Sequence, residues 1–163
     1  MSINIVLIEP EIPQNTGNIA RTCAAIGATL HLVHPLGFDI SQKAVKRAGL
    51  DYWDKLDIIE YKNLEDFKQK VNTDKIYLLS TKSKKIYSDI NYEDNCYLVF
   101  GPESRGLPED YILEHFENAV RIPMREGIRS LNLSNSVAIV AYEVEKQLNF
   151  KDLQEISDYF DNK

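Results

Sequence analysis

The chain alternates short, almost wholly apolar stretches with segments in which apolar residues recur every three or four positions. The first stretch, INIVLI at 3–8, is nearly continuous in apolar and β-branched residues, which predicts a strand buried on both faces. Further strands are predicted at TLHLVH, DIIEY, IYLLST, CYLVF and AVRIP, which occupy 29–34, 57–61, 76–81, 96–100 and 119–123. Because helical segments separate the strands, we predict an α/β fold in three layers, with helices on both faces of a mostly parallel sheet.

Helical periodicity marks segments between these strands and after the last of them. The helical segments are 15–27, 41–49, 64–71, a segment that begins at 108, 133–148 and an acidic amphipathic end at 151–163. Asn15 is the predicted N-cap of the first helix, and Pro108 the first residue of the fourth. An apolar stripe marks the last long helix, at Leu133, Val137, Val140, Val144 and Leu148. We find no linker, and we predict a single domain over 1–163.

Composition narrows the class of protein. The 163 residues are 44% hydrophobic and 27% charged, which is ordinary for a globular protein. No apolar run reaches membrane-spanning length, and the start lacks the basic region and cleavage site of a signal peptide. Cys23 and Cys96 lie far apart without CxxC spacing, so we expect two core thiols in a reducing environment. We therefore expect a cytoplasmic protein with no membrane contact.

The charge balance argues against nucleic-acid binding by the whole surface. The formal net charge is −6 and the isoelectric point is about 5.1, which still leaves room for a local basic face. Basic residues cluster in three places: Lys43, Lys46 and Arg47; Lys82, Lys84 and Lys85; and Arg121, Arg125 and Arg129. Taken alone, each cluster is typical of a solvated surface.

Signatures of covalent and metal catalysis fail when they are tested residue by residue. GPESRG at 101–106 has the glycine spacing of a P-loop, but Leu107 stands where Lys is required. Ser104 is one position out for a GxSxG nucleophile elbow, and GxGxxG is absent. His31 and His34 are three residues apart on a predicted strand and therefore point to opposite faces. We expect no metal site and no covalent nucleophile.

Three polar, glycine-containing loops remain, and each follows a predicted strand. They are PQNTGNIART at 13–22, FGPESRGLP at 100–108 and IPMREGIRSLNLSN at 122–135. Ligands of parallel sheets bind beyond the carboxyl ends of the strands, where such loops meet. The third loop is longer than the roughly 2–6 residues that a strand-to-helix connection needs. These loops are therefore the candidate site.

The first two loops carry residues that a simple turn does not require. Gly17 in a first helical turn costs about 1 kcal/mol relative to Ala, which indicates close approach by a ligand or another backbone. Arg21 follows one turn later, and a surface arginine is an equally good reading of it. In the second loop Glu103 can accept hydrogen bonds, and Arg105 can pair with Glu103 or with a phosphate.

The third loop ends in more polar residues than one helix cap needs. Ser130, Asn132, Ser134 and Asn135 all precede or open the last apolar helix. A cap requires a single such side chain. We expect Ser134 or Asn135 to be the cap, and the surplus indicates a second role for the other polar residues.

Together the three loops resemble the SPOUT superfamily of S-adenosylmethionine-dependent RNA methyltransferases. The residues that carry the resemblance are NTGNIAR, FGPESRGLP and IPM with SLNLSN, at 15–21, 100–108, 122–124 and 130–135. It covers about residues 3–150. EPEIPQNTGN near the start, KRAGLDYW at 46–53 and the lack of an added RNA-binding domain are similar to the small members. Those members methylate the ribose 2′-oxygen of the wobble nucleotide, C or U at position 34, in tRNA.

The resemblance implies a trefoil knot over about 76–150 and a cofactor site for S-adenosylmethionine. Its implied cofactor-binding residues are Leu79, Gly101, Glu103, Ile122, Met124, Ser130 and Leu131. Asn132 is implied to brace the knot loop.

The resemblance further implies catalysis by Arg21, assisted by Asn18, and contacts with the tRNA anticodon stem-loop by Arg129 and Tyr142. It also implies a homodimer, in which Arg21 of one subunit lies near the cofactor of its partner. Two alternatives stay open at this point. One is a SPOUT 2′-O-methyltransferase for ribosomal RNA or another tRNA position, and the other is a non-catalytic module that binds adenosine nucleotides or RNA.

Overall fold

The computed structural model describes residues 3–41 and 53–161. The helix predicted over 41–49, the basic cluster at 43–47 and nearly all of KRAGLDYW therefore lie outside the described residues. Within the described residues, seven strands form one sheet: β1 (Asn4–Ile8), β2 (Thr29–Val33), β3 (Ile58–Tyr61), β4 (Ile76–Leu79), β5 (Lys85–Ile86), β6 (Tyr97–Phe100) and β7 (Ala119–Arg121). Their order is β3-β2-β1-β6-β4-β7-β5, and every neighbouring pair is parallel. The predicted α/β class is confirmed.

The described part of the chain contains four α-helices, of which three connect strands and the fourth follows the last strand. They are α1 (Pro13–Ile26), α2 (Leu64–Lys70), α3 (Glu109–Glu114) and α4 (Leu133–Gln147). Short 3₁₀ turns, which the pattern did not predict, occur at Trp53–Lys55, Tyr87–Asp89 and Phe116–Asn118. None of the described helices is long and apolar enough to cross a membrane.

Both faces of the sheet are covered, which gives the predicted three layers. Ile5 and Leu7 of β1 belong to the core that α1 and α4 cover, whereas Val6 and Ile8 belong to the core with α2 and α3. The predicted stripe of α4 supplies fully buried side chains to the first core, at Val137, Val140 and Val144. This alternation is what a parallel sheet between two helical layers requires.

The two cysteines are core residues, as predicted. Cys23, on α1, and Cys96 are both inaccessible to solvent and belong to the core that α1 and α4 cover. Burial raises the pKa of each thiol to about 12, so both remain protonated at neutral pH. They act as small apolar side chains.

Helix boundaries depart from the sequence predictions in three places. Helix α1 starts at Pro13 with Ile12 at the N-cap, so the prediction that Asn15 caps it was wrong. Pro13 presets the helical backbone two residues earlier than expected. Pro108 is the N-cap of α3 and not its first residue. Helix α4 is capped by Asn132, and neither Ser134 nor Asn135 has that role.

The acidic end does not form the predicted helix. Residues 151–161 adopt turns and bends. Asn149, Phe150 and Asp152 have positive φ angles of 59°, 48° and 70°, which a right-handed helix cannot accommodate. The single domain and the trefoil knot remain predictions.

A polar network, which we call the sheet network, crosses three strands inside the sheet. His31 on β2 is 2% exposed, and its Nδ1 and Nε2 lie 2.8 Å from the Tyr61 hydroxyl and 3.0 Å from Asn4 Oδ1. Because Asn4 Nδ2 donates to Asn95 Oδ1, the Asn4 oxygen accepts from His31 Nε2, and Nδ1 accepts from Tyr61. Burial lowers the pKa of His31 to about 4. The imidazole is therefore neutral, and its role is structural.

Candidate active site

A cavity of about 770 Å³ lies beyond the carboxyl ends of β4, β6 and β7. Its size is that of an ordinary small-molecule site. All seven residues predicted to bind the cofactor line it: Leu79, Gly101, Glu103, Ile122, Met124, Ser130 and Leu131. Arg129, a predicted substrate contact, lines it as well. The three loops singled out in the sequence thus meet around one space.

The lining of the cavity suits an adenosine-containing ligand. Leu79, Ile122, Met124 and Leu131 offer apolar surface for a flat base, and Ser130 adds a hydroxyl. Small-molecule sites combine such apolar walls with a few polar groups. The residues present therefore fit S-adenosylmethionine.

The loop after β6 closes on itself so tightly that only glycine fits at its start. A Cβ atom on Gly101 would lie 2.3 Å from Gly106 C and 2.3 Å from Leu107 N. Gly106 has a φ of 71°, and its amide donates to Pro102 O at 2.9 Å. This close backbone contact and this hydrogen bond form a tight turn.

The carboxylate of Glu103 holds the segment that leads into α1, whose N-cap residue Ile12 makes no side-chain cap bond. It accepts hydrogen bonds from the backbone amides of Glu11 at 2.8 Å and Ile12 at 3.1 Å, and from Asn15 Nδ2 at 3.1 Å. Burial opposes ionisation, but hydrogen bonds led by the Glu11 amide and the Asn15 side chain outweigh it and lower the pKa of Glu103. Glu103 is therefore an ionised group, and its oxygens bond to the start of α1.

Two further pairs of residues join the same two segments of the chain. The carboxylate of Glu11 accepts from the Ser104 amide at 3.0 Å and from the Ser104 hydroxyl at 2.7 Å. Arg105 pairs with Glu9, so its expected pairing with Glu103 is not formed. Glu103 is already engaged by α1, which explains why Arg105 pairs elsewhere.

Asn15 joins all three loops. Its Nδ2 donates to Glu103, and its Oδ1 accepts from Asn132 Nδ2 at 2.9 Å. Asn132 Oδ1 in turn accepts from the amides of Ser134 and Asn135 and so caps α4. We call Glu103, Asn15 and Asn132 the interloop network.

Sequence reasoning missed the role of Asn15, which is 5% exposed. A polar side chain held inside a helix start was the available signal, but it was interpreted as a cap. Only the fold reveals that its partners come from loops 88 and 117 residues away.

The two predicted catalytic residues and Tyr142 do not line the cavity. Asn18 and Arg21 are exposed on α1, and their spacing of three places them on one face of that helix. Tyr142 is 46% exposed on α4. Within one chain, the cavity therefore gathers the predicted cofactor residues and Arg129, while Asn18, Arg21 and Tyr142 lie on outer helix faces.

Comparison with known proteins shows the family to which the chain belongs. The family model described as the SpoU rRNA Methylase family matches residues 2–142. The chain belongs to this family. A Saccharophagus degradans protein named tRNA (cytidine(34)-2'-O)-methyltransferase is 47% identical over 149 residues, which cover 90% of this chain and 96% of that protein.

Solved structures agree with the SpoU assignment. One of them is 41% identical to this chain, with a TM-score of 0.84 and coverage of 91% of each chain. It is described as "Structural insights into the 2-OH methylation of C/U34 on tRNA". An AdoMet-bound rRNA methyltransferase from Sinorhizobium meliloti is 26% identical, with a TM-score of 0.78 over 90% of this chain and 57% of that one. The resemblance predicted from the three loops is confirmed at the level of the SpoU family and its fold.

Proposed function

We propose that this protein transfers a methyl group from S-adenosylmethionine to the ribose 2′-oxygen of the wobble nucleotide, C or U at position 34, of tRNA. The observation that carries the proposal is the single cavity, in which all seven predicted cofactor residues of a SpoU family chain meet. The name of the relative at 47% identity and the subject of the structure at 41% identity support the substrate. A tRNA substrate also supports a location in the cytoplasm.

The chain needs no covalent nucleophile for this reaction. When bound, S-adenosylmethionine supplies a methyl group made electrophilic by its sulfonium. Leu79, Ile122 and Met124 would hold the adenosine, and Ser130 and Leu131 would close the pocket over it. S-adenosylhomocysteine would leave as the 2′-oxygen takes the methyl group. The remaining tasks for the protein are to orient the ribose hydroxyl and to favour loss of its proton to solvent water.

Arg21 performs the second task electrostatically in this proposal. A guanidinium is protonated at all accessible pH values, which disfavours it as a general base. It instead orients a phosphate and stabilises the alkoxide that develops on the 2′-oxygen. Asn18, one turn earlier on the same face of α1, holds the ribose or Arg21.

The placement of these residues supports a homodimer. Arg21 lies on the outer face of α1 and not in the cavity of its own chain. Ile139 and Tyr142 of α4 are 37% and 46% exposed, an apolar face of the kind that interfaces use. In the dimer Arg21 of one subunit meets the cavity of its partner, and Arg129 and Tyr142 contact the unpaired bases of the anticodon loop.

Ribosomal RNA is the second candidate substrate, because the matching family model and one neighbour are described by it. Methyl-labelled S-adenosylmethionine separates the candidates when it is offered with bulk tRNA and with ribosomal RNA. We expect label in tRNA, at position 34 when the product is mapped. Label found only in ribosomal RNA would contradict the proposal and make ribosomal RNA the substrate. Binding of S-adenosylmethionine without transfer to any RNA would indicate a non-catalytic module.

Substitution of Arg21 tests the mechanism. Arg21→Ala should lower kcat for tRNA methylation by at least about 100-fold, because the charge opposite the developing alkoxide is lost. Affinity for S-adenosylmethionine, measured by calorimetry, should stay unchanged. Arg21→Lys is the matched variant that keeps the charge and should retain part of the activity. Unchanged turnover of Arg21→Ala would contradict the role given to this residue.

A further inference from the structure

Beside the cavity, the last two strands of the sheet carry an unusual concentration of positive charge. Residues 80–88 contain three lysines and no acidic residue, and 119–136 contain three arginines and one glutamate, Glu126, in a chain whose net charge is −6. β5 pairs with β7 so that Ile86 lies opposite Arg121. The two clusters, separate in sequence, therefore share one edge of the sheet.

Part of this charge is neutralised locally and part is not. Lys82 pairs with Glu109, and Lys85 Nζ lies 2.8 Å from Glu117 Oε2. Among the residues that the structure describes, the other four cations of these clusters form no ion pair: Lys84, Arg121, Arg125 and Arg129. We call these four the basic edge.

The backbone holds the basic edge next to the cavity. Arg121 ends β7, the following Ile122 lines the cavity, and Arg129 lines it directly. The Ile128 amide donates to Arg125 O at 3.3 Å, which closes a turn between Arg125 and Arg129. On the other strand, the Ser83 hydroxyl donates to Ala119 O and so fixes the segment before Lys84 against β7.

From this arrangement we infer that Lys84, Arg121 and Arg125 bind the phosphates of an RNA stem, while Arg129 lies where that stem meets the cavity. The inference rests on the proposed function and names the surface that holds its substrate. Phosphate contacts by Lys and Arg fix the register of a nucleic acid without reading its sequence. A stem held there would position its loop over the cavity.

The salt dependence of RNA binding tests this surface. The triple variant Lys84→Ala, Arg121→Ala, Arg125→Ala and each single variant are titrated with a tRNA transcript over a range of KCl concentrations. Log affinity falls as log salt concentration rises, and every lost phosphate contact should make this slope shallower by roughly 0.7 to 0.9. The triple variant should make it shallower by roughly 2 to 3. Affinity should weaken equally for different tRNA sequences.

Lys62→Ala is the matched control. Lys62 is exposed and follows β3, the strand at the opposite edge of the sheet. Its removal should leave the slope at the wild-type value. Affinity for S-adenosylmethionine should stay unchanged in every variant, which shows that the cavity is intact. Should the triple variant fail to bind this cofactor, the single variants decide the question.

Two results would overturn the inference. One is a triple variant whose slope equals that of Lys62→Ala. The other is an unchanged slope with an altered oligomeric state on size-exclusion chromatography, which would assign the basic edge to the acidic surface of a second copy. Methylation of position 34 by the wild-type protein is measured in parallel: if it occurs, these results remove this inference alone, and if it does not, the proposed function and the inference are both lost.

Discussion

Two polar networks in this protein differ in charge, in depth and in what they hold together. The interloop network carries an ionised carboxylate, Glu103, at the carboxyl ends of the strands, where amides at the start of α1 surround it. The sheet network carries a neutral imidazole, His31, that is sealed inside the strand layer. Backbone amides can stabilise a charge that burial alone would suppress. We interpret the first network as support for the cavity and the second as support for the core.

The largest expected difference between the two networks is in how they affect the free energy of unfolding as the pH is lowered. The folded-state pKa of His31 is lowered from about 6.5 to about 4, so the unfolded chain binds more protons between these values. Stability is therefore full above pH 6.5 and falls as the pH drops toward 4, by on the order of 3 kcal/mol. The pKa of His115 is also lowered by burial and adds a change in the same direction. Urea unfolding between pH 7 and pH 4 measures the loss.

His31→Gln tests which histidine is responsible for the acid effect. Gln offers Tyr61 and Asn4 an uncharged partner, so the variant should lose most of the pH dependence of the free energy of unfolding. The lowered pKa of Glu103 costs stability only as the pH falls below about 4.5, its usual value, so it adds to the loss only at the acid end of this range. Equal pH dependence in wild type and His31→Gln would contradict the assignment.

Removing the charge of Glu103 should affect the cavity as well as stability. Glu103→Gln keeps the shape but presents an amide donor to the donors of α1, at a cost of about 2 kcal/mol in the free energy of unfolding. Because the loop after β6 loses its anchor, affinity for S-adenosylmethionine should fall as well. Calorimetry and urea unfolding measure the two effects.

Glu93→Gln is the control for a lost surface carboxylate. Glu93 pairs with Lys75 at an exposed site, 3.1 Å apart. Both the free energy of unfolding and the cofactor affinity should match wild type in this variant. A Glu103→Gln protein that behaves like it would show that the interloop network does not support the cavity.

The smallest effect is expected where only the link between two loops is cut. Asn132→Ser keeps a residue that caps helices well but loses the amide that donates to Asn15. We expect a loss of about 1 kcal/mol in the free energy of unfolding, with cofactor affinity lowered less than in Glu103→Gln. Asn132→Ala, which also removes the cap, should be less stable than Asn132→Ser, and the reverse order would refute this division of roles.

Local signals predicted the main strands and helices well and the site connections poorly. Buried strands such as β1 and β2 are apolar runs, and α4 has a clear periodic stripe, so their positions follow from residue type. β5 has two residues, Lys85 and Ile86, and a pair gives no pattern. Since Ser and Asn cap helices almost equally well, residue type did not distinguish Asn132 from Ser134 or Asn135.

The residues that line the cavity could be predicted because the sequences of three loops resemble a known superfamily, and all seven residues predicted to bind the cofactor lie around it. Their role in binding the cofactor remains a prediction. The contacts between the loops could not be predicted. Glu103 accepts from backbone amides just ahead of a helix that begins 90 residues earlier in the chain, and no rule on neighbouring residues connects the two. The placement of Arg21 outside its own cavity likewise depends on how α1 packs.

The hydrogen bonds between Glu103 and the segment before α1 also have a consequence for the order of events during synthesis. The amides of Glu11 and Ile12 have to wait for a partner that is translated about 92 residues later. At a rate of about 5–20 residues per second, that interval is roughly 5 to 20 seconds. β1 waits equally long for β6, one of its two neighbours in the sheet. The nascent N-terminal third therefore remains incomplete, and accessible to chaperones, until the loop that builds the cavity emerges from the ribosome.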